Sequence, residues 1–178
     1  MDLTETQISS TAIHDASFLK VYQDQIRLPN GNSSQRLVIR HPGAACVLAI
    51  TPENQVVLVR QWRYATGQAL LEIPAGKLDE GEDPAQCALR ELAEETPYSA
   101  ERVEKILHFY SAPGFCDEVL HVYRAINVQA NSTLQPDADE FVETVLYSAE
   151  QVRQAIANNE ICDAKTLIAL QTWLMGQS

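Results

Sequence analysis

The sequence predicts an α/β (α+β) fold, in which a mixed central β-sheet is flanked by helices and preceded by an N-terminal β-hairpin. Two observations support this class. Apolar runs of strand length alternate along the chain with three helical segments that carry their own capping residues. The 178 residues, 46% of them hydrophobic, suffice for one substantial core and are too few for two ordinary domains. We therefore expect a flexible N-terminus over residues 1–16 and a single domain over residues 17–178.

Turn residues separate the first predicted strands. Pro29–Asn32 is a strong turn signal, so the strands on either side should form the hairpin that opens the fold. A second turn at Pro52–Gln55 separates two further strands, of which the first is nearly all apolar, as central strands are. The four predicted strands are Ser17–Leu28, Leu37–His41, Ala44–Thr51 and Val56–Arg63.

The next strand leads into the first helix. Leu71–Gly76 has strand character and stops at a proline and a glycine. Asp83 is an acidic N-cap and Pro84 suits the first helical position, so a helix should begin there. Thr96 precedes Pro97, which disfavours helical geometry at Thr96 and ends the helix after about three turns.

The remaining elements are three strands and two helices. Ser148 with Gln151 forms a capping box for one helix, and Asp163 is the N-cap of the last. The last helix alternates apolar and polar faces. The predicted strands are Val103–Tyr110, Glu118–Val128 and Phe141–Tyr147.

Composition limits the function. The formal charge of −11 would repel nucleic-acid backbones and anionic membrane surfaces, and we expect neither as a partner. Without a signal pattern or an apolar run of membrane-spanning length, the protein is expected to be soluble and cytoplasmic. The cysteines form no CxxC pair and are expected to be reduced, and no histidine is assigned a role.

The first helix carries an unusual concentration of acid. Glu91, Glu94 and Glu95 lie three and four residues apart, which places their carboxylates on one side of the helix. Like charges this close repel each other, so either solvent screens them or a cation neutralises them. Oxygen ligands of this kind favour magnesium, manganese or calcium.

A solvated acidic helix face is the alternative interpretation. The loop before the helix argues for a metal site instead, because the break at Pro74 and Gly76 lets main-chain carbonyls turn towards the carboxylates. A solvated face requires neither Gly76 nor Glu82 just before the cap.

The spacing of these residues resembles a Nudix box. Gly76 is followed after five residues by Glu82 and after seven more by Arg90–Glu95, as the motif requires. The family pattern then asks for a glycine, where this chain has Pro97 within Thr96–Tyr98. The resemblance implies the Nudix αβα sandwich.

A longer stretch resembles the ADP-ribose pyrophosphatase subfamily. Pro113, within Phe109–Phe115, lies sixteen residues beyond the position of the missing glycine, a placement typical of that subfamily. Further likeness at five other stretches extends the resemblance over about Asp24 to Leu174. It implies metal-dependent hydrolysis of ADP-ribose to AMP and ribose 5-phosphate, with Mg²⁺ as cofactor and Mn²⁺ as its alternative.

The resemblance also implies roles for individual residues. The metal would be held by Glu91, Glu94, Glu95 and the Ala75 carbonyl, and Arg90 would orient the catalytic carboxylates. The general base would come from the acidic loop 136–140, with Glu140 the first choice and Glu143 the second. The residues that match substrate-contacting positions are Arg36, Arg63, Glu118 and Pro113. Each has an ordinary alternative. The arginines could form surface salt bridges, Glu118 could be a strand-edge carboxylate, and the loop at Pro113 could be an ordinary Pro-Gly turn.

Members of the subfamily dimerise through exchanged N-terminal strands, so the hairpin 17–41 is expected to reach a second copy in a homodimer. Two alternatives stay open. One is a hydrolase of another nucleoside diphosphate sugar, such as GDP-mannose. The other is a sensor that binds ADP-ribose without cleaving it.

Overall fold

The computed structural model describes residues 1–16, 18–134 and 141–176, and the chain divides into two compact units. The smaller unit comprises Met1–Gly43 and Tyr110–Val119, and the larger comprises Ala44–Phe109 and the chain from Leu120 onwards. That residues 17–178 form a single domain stays a prediction.

Three antiparallel strands form the sheet of the smaller unit, in the order β1-β2-β3. They are β1 (Thr6–His14), β2 (Lys20–Arg27) and β3 (Ser33–Arg40). The predicted hairpin is therefore β2–β3. Strand β1 lies within residues 1–16, for which no strand was predicted: its residues are all exposed, so the sequence shows no apolar alternation there, and main-chain pairing with β2 forms the strand. That this terminus is flexible stays a prediction.

The segment that carries Pro113 also belongs to the smaller unit, where main-chain bonds attach it to β3. The amide of Ile39 donates to the Phe115 carbonyl at 2.7 Å, and the amide of Asp117 donates to the Ile39 carbonyl at 3.1 Å. These bonds extend the sheet by a single bridge between Ile39 and Cys116.

The larger unit contains two sheets and three helices. One sheet is mixed, in the order β7-β4-β9-β8, and the other is antiparallel, in the order β10-β5-β6. Its strands are β4 (Ala44–Leu48), β5 (Gln55–Arg63), β6 (Gln68–Glu72), β7 (Ala75–Lys77), β8 (Arg102–Tyr110), β9 (Val119–Ile126) and β10 (Val142–Ser148), the last residue of β8 and the first of β9 being counted with the smaller unit. Its helices are α1 (Pro84–Glu95), α2 (Ala149–Ala157) and α3 (Ala164–Met175).

Strand β4 separates two hydrophobic cores, because successive side chains of a strand point to opposite faces. Cys46 and Leu48 belong to the core that includes Leu170 of α3, whereas Val47 belongs to the core that includes Leu92 of α1. Helices thus cover both faces, which is the predicted αβα sandwich.

The helix boundaries follow the predicted capping residues. Asp83 caps α1, Pro84 is its first residue, and Ser148 and Gln151 complete the capping box of α2. Strand β7 was not predicted, because three residues are too few to show a period. No helix in the described part of the chain is long and apolar enough to cross a membrane.

Candidate active site

Helix α1 presents the acidic residues at its C-terminal end. Its start is fixed by Asp83, whose Oδ1 accepts a hydrogen bond from the Ala85 amide at 2.8 Å. Two of the three carboxylates among the predicted metal ligands, Glu91 and Glu95, are buried, with 7% and 5% of their surface exposed. Buried carboxylates are costly unless they are paired, so the contacts of these two side chains determine what the site can do.

Arg90 lies at the centre of the carboxylates. Its Nε and Nη2 donate to the two oxygens of Glu82 at 2.9 and 3.0 Å. Its Nη1 donates to Glu91 Oε1 at 2.6 Å and to Glu94 Oε2 at 3.0 Å. The hydrogen bond from Arg90 holds the pKa of Glu82 below its ordinary value, and the same bond raises the pKa of Arg90. One guanidinium therefore fixes the positions of three carboxylates.

Strand β7 packs its main chain directly against the two buried carboxylates. The Ala75 amide donates to Glu95 Oε2 at 3.0 Å. A Cβ added at Gly76 would lie 1.7 Å from Glu91 Oε1, so only glycine leaves room for that carboxylate. This contact explains why Gly76 precedes the acidic helix.

We call the group formed by Glu82, Arg90, Glu91, Glu94 and Glu95 the α1 cluster; it sets four carboxylates against one guanidinium. Carboxylate oxygens are ligands for hard divalent cations, so the donor set fits such an ion. Within residues 1–16, 18–134 and 141–176, no three His, Cys, Asp or Glu side chains are arranged to hold a metal.

Arg63, predicted to contact substrate, belongs to a second cluster in the same unit. Its Nε and Nη2 donate to the two oxygens of Glu72 at 2.7 and 2.8 Å. Lys165 also contacts Glu72, and Lys165 Nζ lies 3.1 Å from Asp163 Oδ2. We call Arg63, Glu72, Asp163 and Lys165 the α3 cluster; it has two positive and two negative side chains.

Pairing keeps the buried Glu72 charged. Burial raises the pKa of Glu72, but the hydrogen bonds from Arg63 and the charge of Lys165 outweigh it, and the pKa falls to about 2. The hydrogen bond with Glu72 raises the pKa of Arg63, and the charge of Glu95 adds to this rise. The α3 cluster and Glu95 therefore lie within electrostatic reach of each other.

Three predicted substrate contacts belong to the smaller unit. Arg36 pairs with Glu5, through Nε to Oε2 at 3.1 Å and Nη2 to Oε1 at 2.5 Å. Glu118 accepts a hydrogen bond from Ser111 Oγ at 2.5 Å. Pro113 and Arg36 both line a cavity of about 390 Å³ within this unit. Both arginines predicted to contact substrate, Arg36 and Arg63, are thus ion-paired to a glutamate in this structure.

Of the two candidates for the general base, Glu140 and Glu143, the structure describes only Glu143. Glu140 lies outside the described residues. Glu143 is on β10 and exposed, and its Oε2 accepts a hydrogen bond from Arg60 Nη1 at 3.0 Å. The assignment of the base stays a prediction.

The structure adds two residues that sequence reasoning did not assign, Glu72 and Lys165. Both are buried although they carry charge. The available signal was a charged residue inside an apolar run: Glu72 follows Leu70–Leu71, and Lys165 opens an otherwise largely apolar helix. A charged residue is almost never buried without a partner of opposite charge, so a charge inside an apolar run indicates that such a partner lies elsewhere in the chain.

Comparisons with known proteins match most of the chain to one protein family. Residues 39–170 match the family model of the NUDIX domain. The chain is 41% identical over 170 residues to the ADP-ribose pyrophosphatase of Bacillus subtilis (strain 168), covering 95% of this chain and 92% of the relative. It is 42% identical over 168 residues to the methanol dehydrogenase activator of Bacillus methanolicus, covering 94% and 91%.

Two further matches are a curated relative named for another activity and a solved structure. The GDP-mannose pyrophosphatase of Yersinia enterocolitica is 34% identical over 154 residues, covering 80% of each chain. The crystal structure of an ADP compounds hydrolase superposes with a TM-score of 0.82 at 21% identity, covering 100% of this chain and 98% of the other. At that identity the structural likeness concerns the fold.

Proposed function

This chain belongs to the Nudix family, and from that membership we propose that it hydrolyses the pyrophosphate bond of ADP-ribose to give AMP and ribose 5-phosphate. The observation that carries the proposal is the acidic face of α1. Glu91 fits against Gly76, Glu95 is held by the Ala75 amide, and Arg90 ties three carboxylates together. The 41% identity to an ADP-ribose pyrophosphatase supports the choice of substrate.

Nudix hydrolases generally need a divalent metal, and we infer that Mg²⁺, or Mn²⁺ in its place, serves this chain. The residues that would hold it are Glu91, Glu94, Glu95 and the Ala75 carbonyl. When bound, the ion would neutralise the charge of the pyrophosphate and lower the pKa of a bound water.

The side chains of this protein would bind the substrate, orient the carboxylates and deprotonate the attacking water. Arg90 fixes the relative positions of the carboxylates, because one guanidinium contacts three of them. Arg63 and Arg36 would bind phosphate, since a guanidinium donates two parallel hydrogen bonds to it. Glu118 and Pro113 would contact the remainder of the substrate. Glu140 would take the proton of the attacking water, with Glu143 the second candidate.

Homodimerisation through the N-terminal strands is part of the proposal. The sheet of the smaller unit exposes apolar side chains, including Ile8, Ile13 and Leu37 with 50%, 58% and 56% of their surface accessible. Exposed apolar residues and an edge strand such as β1 favour association with a second copy. We place the protein in the cytoplasm.

A second candidate is hydrolysis of another nucleoside diphosphate sugar, such as GDP-mannose. The similarity to a GDP-mannose pyrophosphatase favours it, and the acidic residues act on the diphosphate that both substrates share. A sensor that binds ADP-ribose without cleaving it is the third candidate, and the complete set of α1 carboxylates argues against it.

The deciding experiment measures AMP release from ADP-ribose with Mg²⁺. It compares the wild type, Glu95→Gln, a chelator control, and the matched variant Glu104→Gln, which removes an exposed carboxylate paired with Arg102. We expect rapid release in the wild type and in Glu104→Gln, and loss with Glu95→Gln and with chelator. Faster turnover of GDP-mannose than of ADP-ribose would favour the second candidate. Tight binding without product would support the sensor.

A further inference from the structure

A buried ion pair joins Lys165, in the first turn of α3, to Glu72 at the end of β6. Lys165 and Glu72 have 9% and 1% of their surface exposed, and they contact each other. Helix α3 already packs its apolar residues, including Ala169, Leu170 and Trp173, into the core beneath it. A buried ion pair is often no more stabilising than apolar residues of the same volume, so its presence suggests a further role.

One role is to orient Arg63. Glu72 receives the Nε and Nη2 edge of the guanidinium, and this side-on geometry fixes the plane of the fork and directs Nη1 away from the carboxylate. Lys165 contacts Oε2 of the same carboxylate and limits its rotation. About two-fifths of the Arg63 side chain, 39%, stays exposed, so the oriented guanidinium is accessible to a phosphate.

A second contact of the same turn holds the chain that leads to Ala75. The Ile73 amide donates to Thr166 Oγ1 at 3.0 Å, and Thr166 Oγ1 donates to Asp163 Oδ2 at 2.6 Å. Two residues further on, the Ala75 amide is bound by Glu95. The bend between β6 and β7 is therefore fixed from α3 on one side and from α1 on the other.

We propose that the first turn of α3 is a positioning element for the reaction, in which Lys165 acts through Glu72 to orient Arg63 and Thr166 holds the bend that carries Ala75. Neither residue is placed in contact with substrate. The inference rests on the proposed function, because Arg63 and Ala75 matter only if the larger unit binds a diphosphate and a metal.

The Lys165 part is tested by a double-mutant cycle on the KM for ADP-ribose. Lys165→Met should raise KM about tenfold in the wild type and less than about twofold in an Arg63→Lys background, where the planar fork is already gone. kcat should change little in either. Equal effects in both backgrounds would overturn the proposal, since Lys165 would then act independently of Arg63. If Lys165→Met melts below the assay temperature, Lys165→Gln serves in the same cycle.

The Thr166 part is tested with Mn²⁺ alone, by electron paramagnetic resonance titration, and needs no turnover. Thr166→Val should weaken Mn²⁺ binding about fivefold, because the Ile73 amide loses its acceptor, and Thr166→Ser should restore it. Lys165→Met should raise the KM for ADP-ribose but leave Mn²⁺ binding unchanged. A merely structural defect would alter both the KM and Mn²⁺ binding. Wild-type Mn²⁺ binding in a folded Thr166→Val would overturn this part. A wild type that binds Mn²⁺ but cleaves neither nucleotide sugar would instead defeat the proposed function.

Discussion

The α1 and α3 clusters lie in the same unit and differ in how their charges balance. The α3 cluster pairs two positive side chains with two negative ones. The α1 cluster sets four carboxylates against Arg90. The balanced cluster pairs its own charges, and the surplus of carboxylates fits the divalent cation that the proposed function requires. Charge balance therefore separates a cluster that would orient a substrate-binding arginine from one whose carboxylates would hold the metal.

The largest expected effect comes from lowering the surplus in the α1 cluster. Glu91→Gln should reduce kcat for ADP-ribose about a thousandfold, because it would replace the proposed charged metal ligand with a neutral one of the same shape. The melting temperature should stay near that of the wild type. Steady-state AMP release and thermal melts measure both quantities, and turnover within tenfold of the wild type would contradict the assignment of Glu91.

The α3 cluster should respond in stability. The pKa of Glu72 falls from 4.5 to about 2 on folding. Removing one partner of a buried ion pair costs about 3–5 kcal/mol, so Glu72→Gln should lose roughly 3 kcal/mol of unfolding free energy at pH 7, part of it through the charge of Glu72. Because the folded-state pKa is depressed, this contribution is fully present above pH 4.5 and is lost as the pH falls towards 2.

Urea unfolding at pH 7 and pH 3 measures this difference. The difference in unfolding free energy between the wild type and Glu72→Gln should be smaller at pH 3 than at pH 7. Glu94→Gln, which removes a partly exposed member of the α1 cluster, should change stability by less than about 1 kcal/mol at either pH. A gap at Glu72 that is independent of pH would show that its charge is not what stabilises the fold.

A smaller effect should follow from crowding the α1 cluster without changing its charge. Gly76→Ala places a methyl group where Glu91 Oε1 lies, so the carboxylate must move, and kcat/KM should fall about thirtyfold. Gly176→Ala is the matched control, because its Cβ would meet only the Trp173 carbonyl at 3.4 Å. Equal activities of the two variants would mean that the position of Glu91 is not critical.

The smallest effect is expected at Pro97, where the family pattern has glycine. Thr96 leaves α1 with extended geometry, φ −140° and ψ 159°, and the Pro97 carbonyl accepts from the Ser132 amide at 3.0 Å. We predict that Pro97→Gly changes magnesium-dependent kcat by less than about twofold and lowers stability by about 0.5–1 kcal/mol through chain entropy. A large gain in turnover would show that the native exit from the helix impairs the enzyme.

The elements that could be predicted are those whose signals are local. The caps Asp83 and Ser148 place two helix starts, and the turn at Pro29–Asn32 places the β2–β3 hairpin. Strand β1 could not be predicted in this way, because its residues are exposed on both faces and only pairing with β2 orders them.

The candidate site divides along the same line. The spacing of Glu91, Glu94 and Glu95 on a capped helix placed them on one side from sequence alone, since helical geometry is periodic. The contacts of Arg63 and Arg36 with Glu72 and Glu5 were not readable from spacing, since charged partners 9 and 31 residues away are only two of many.

The sequence by itself determined the class of the fold, the family and the acidic helix, because periodicity, caps and a spaced motif are properties of neighbouring residues. Tertiary structure decided why Gly76 must be glycine, which carboxylates Arg90 holds, and how Lys165 and Thr166 reach β6 and the bend that follows it. These depend on which surfaces meet when distant segments pack, and a buried charge finds its partner only there.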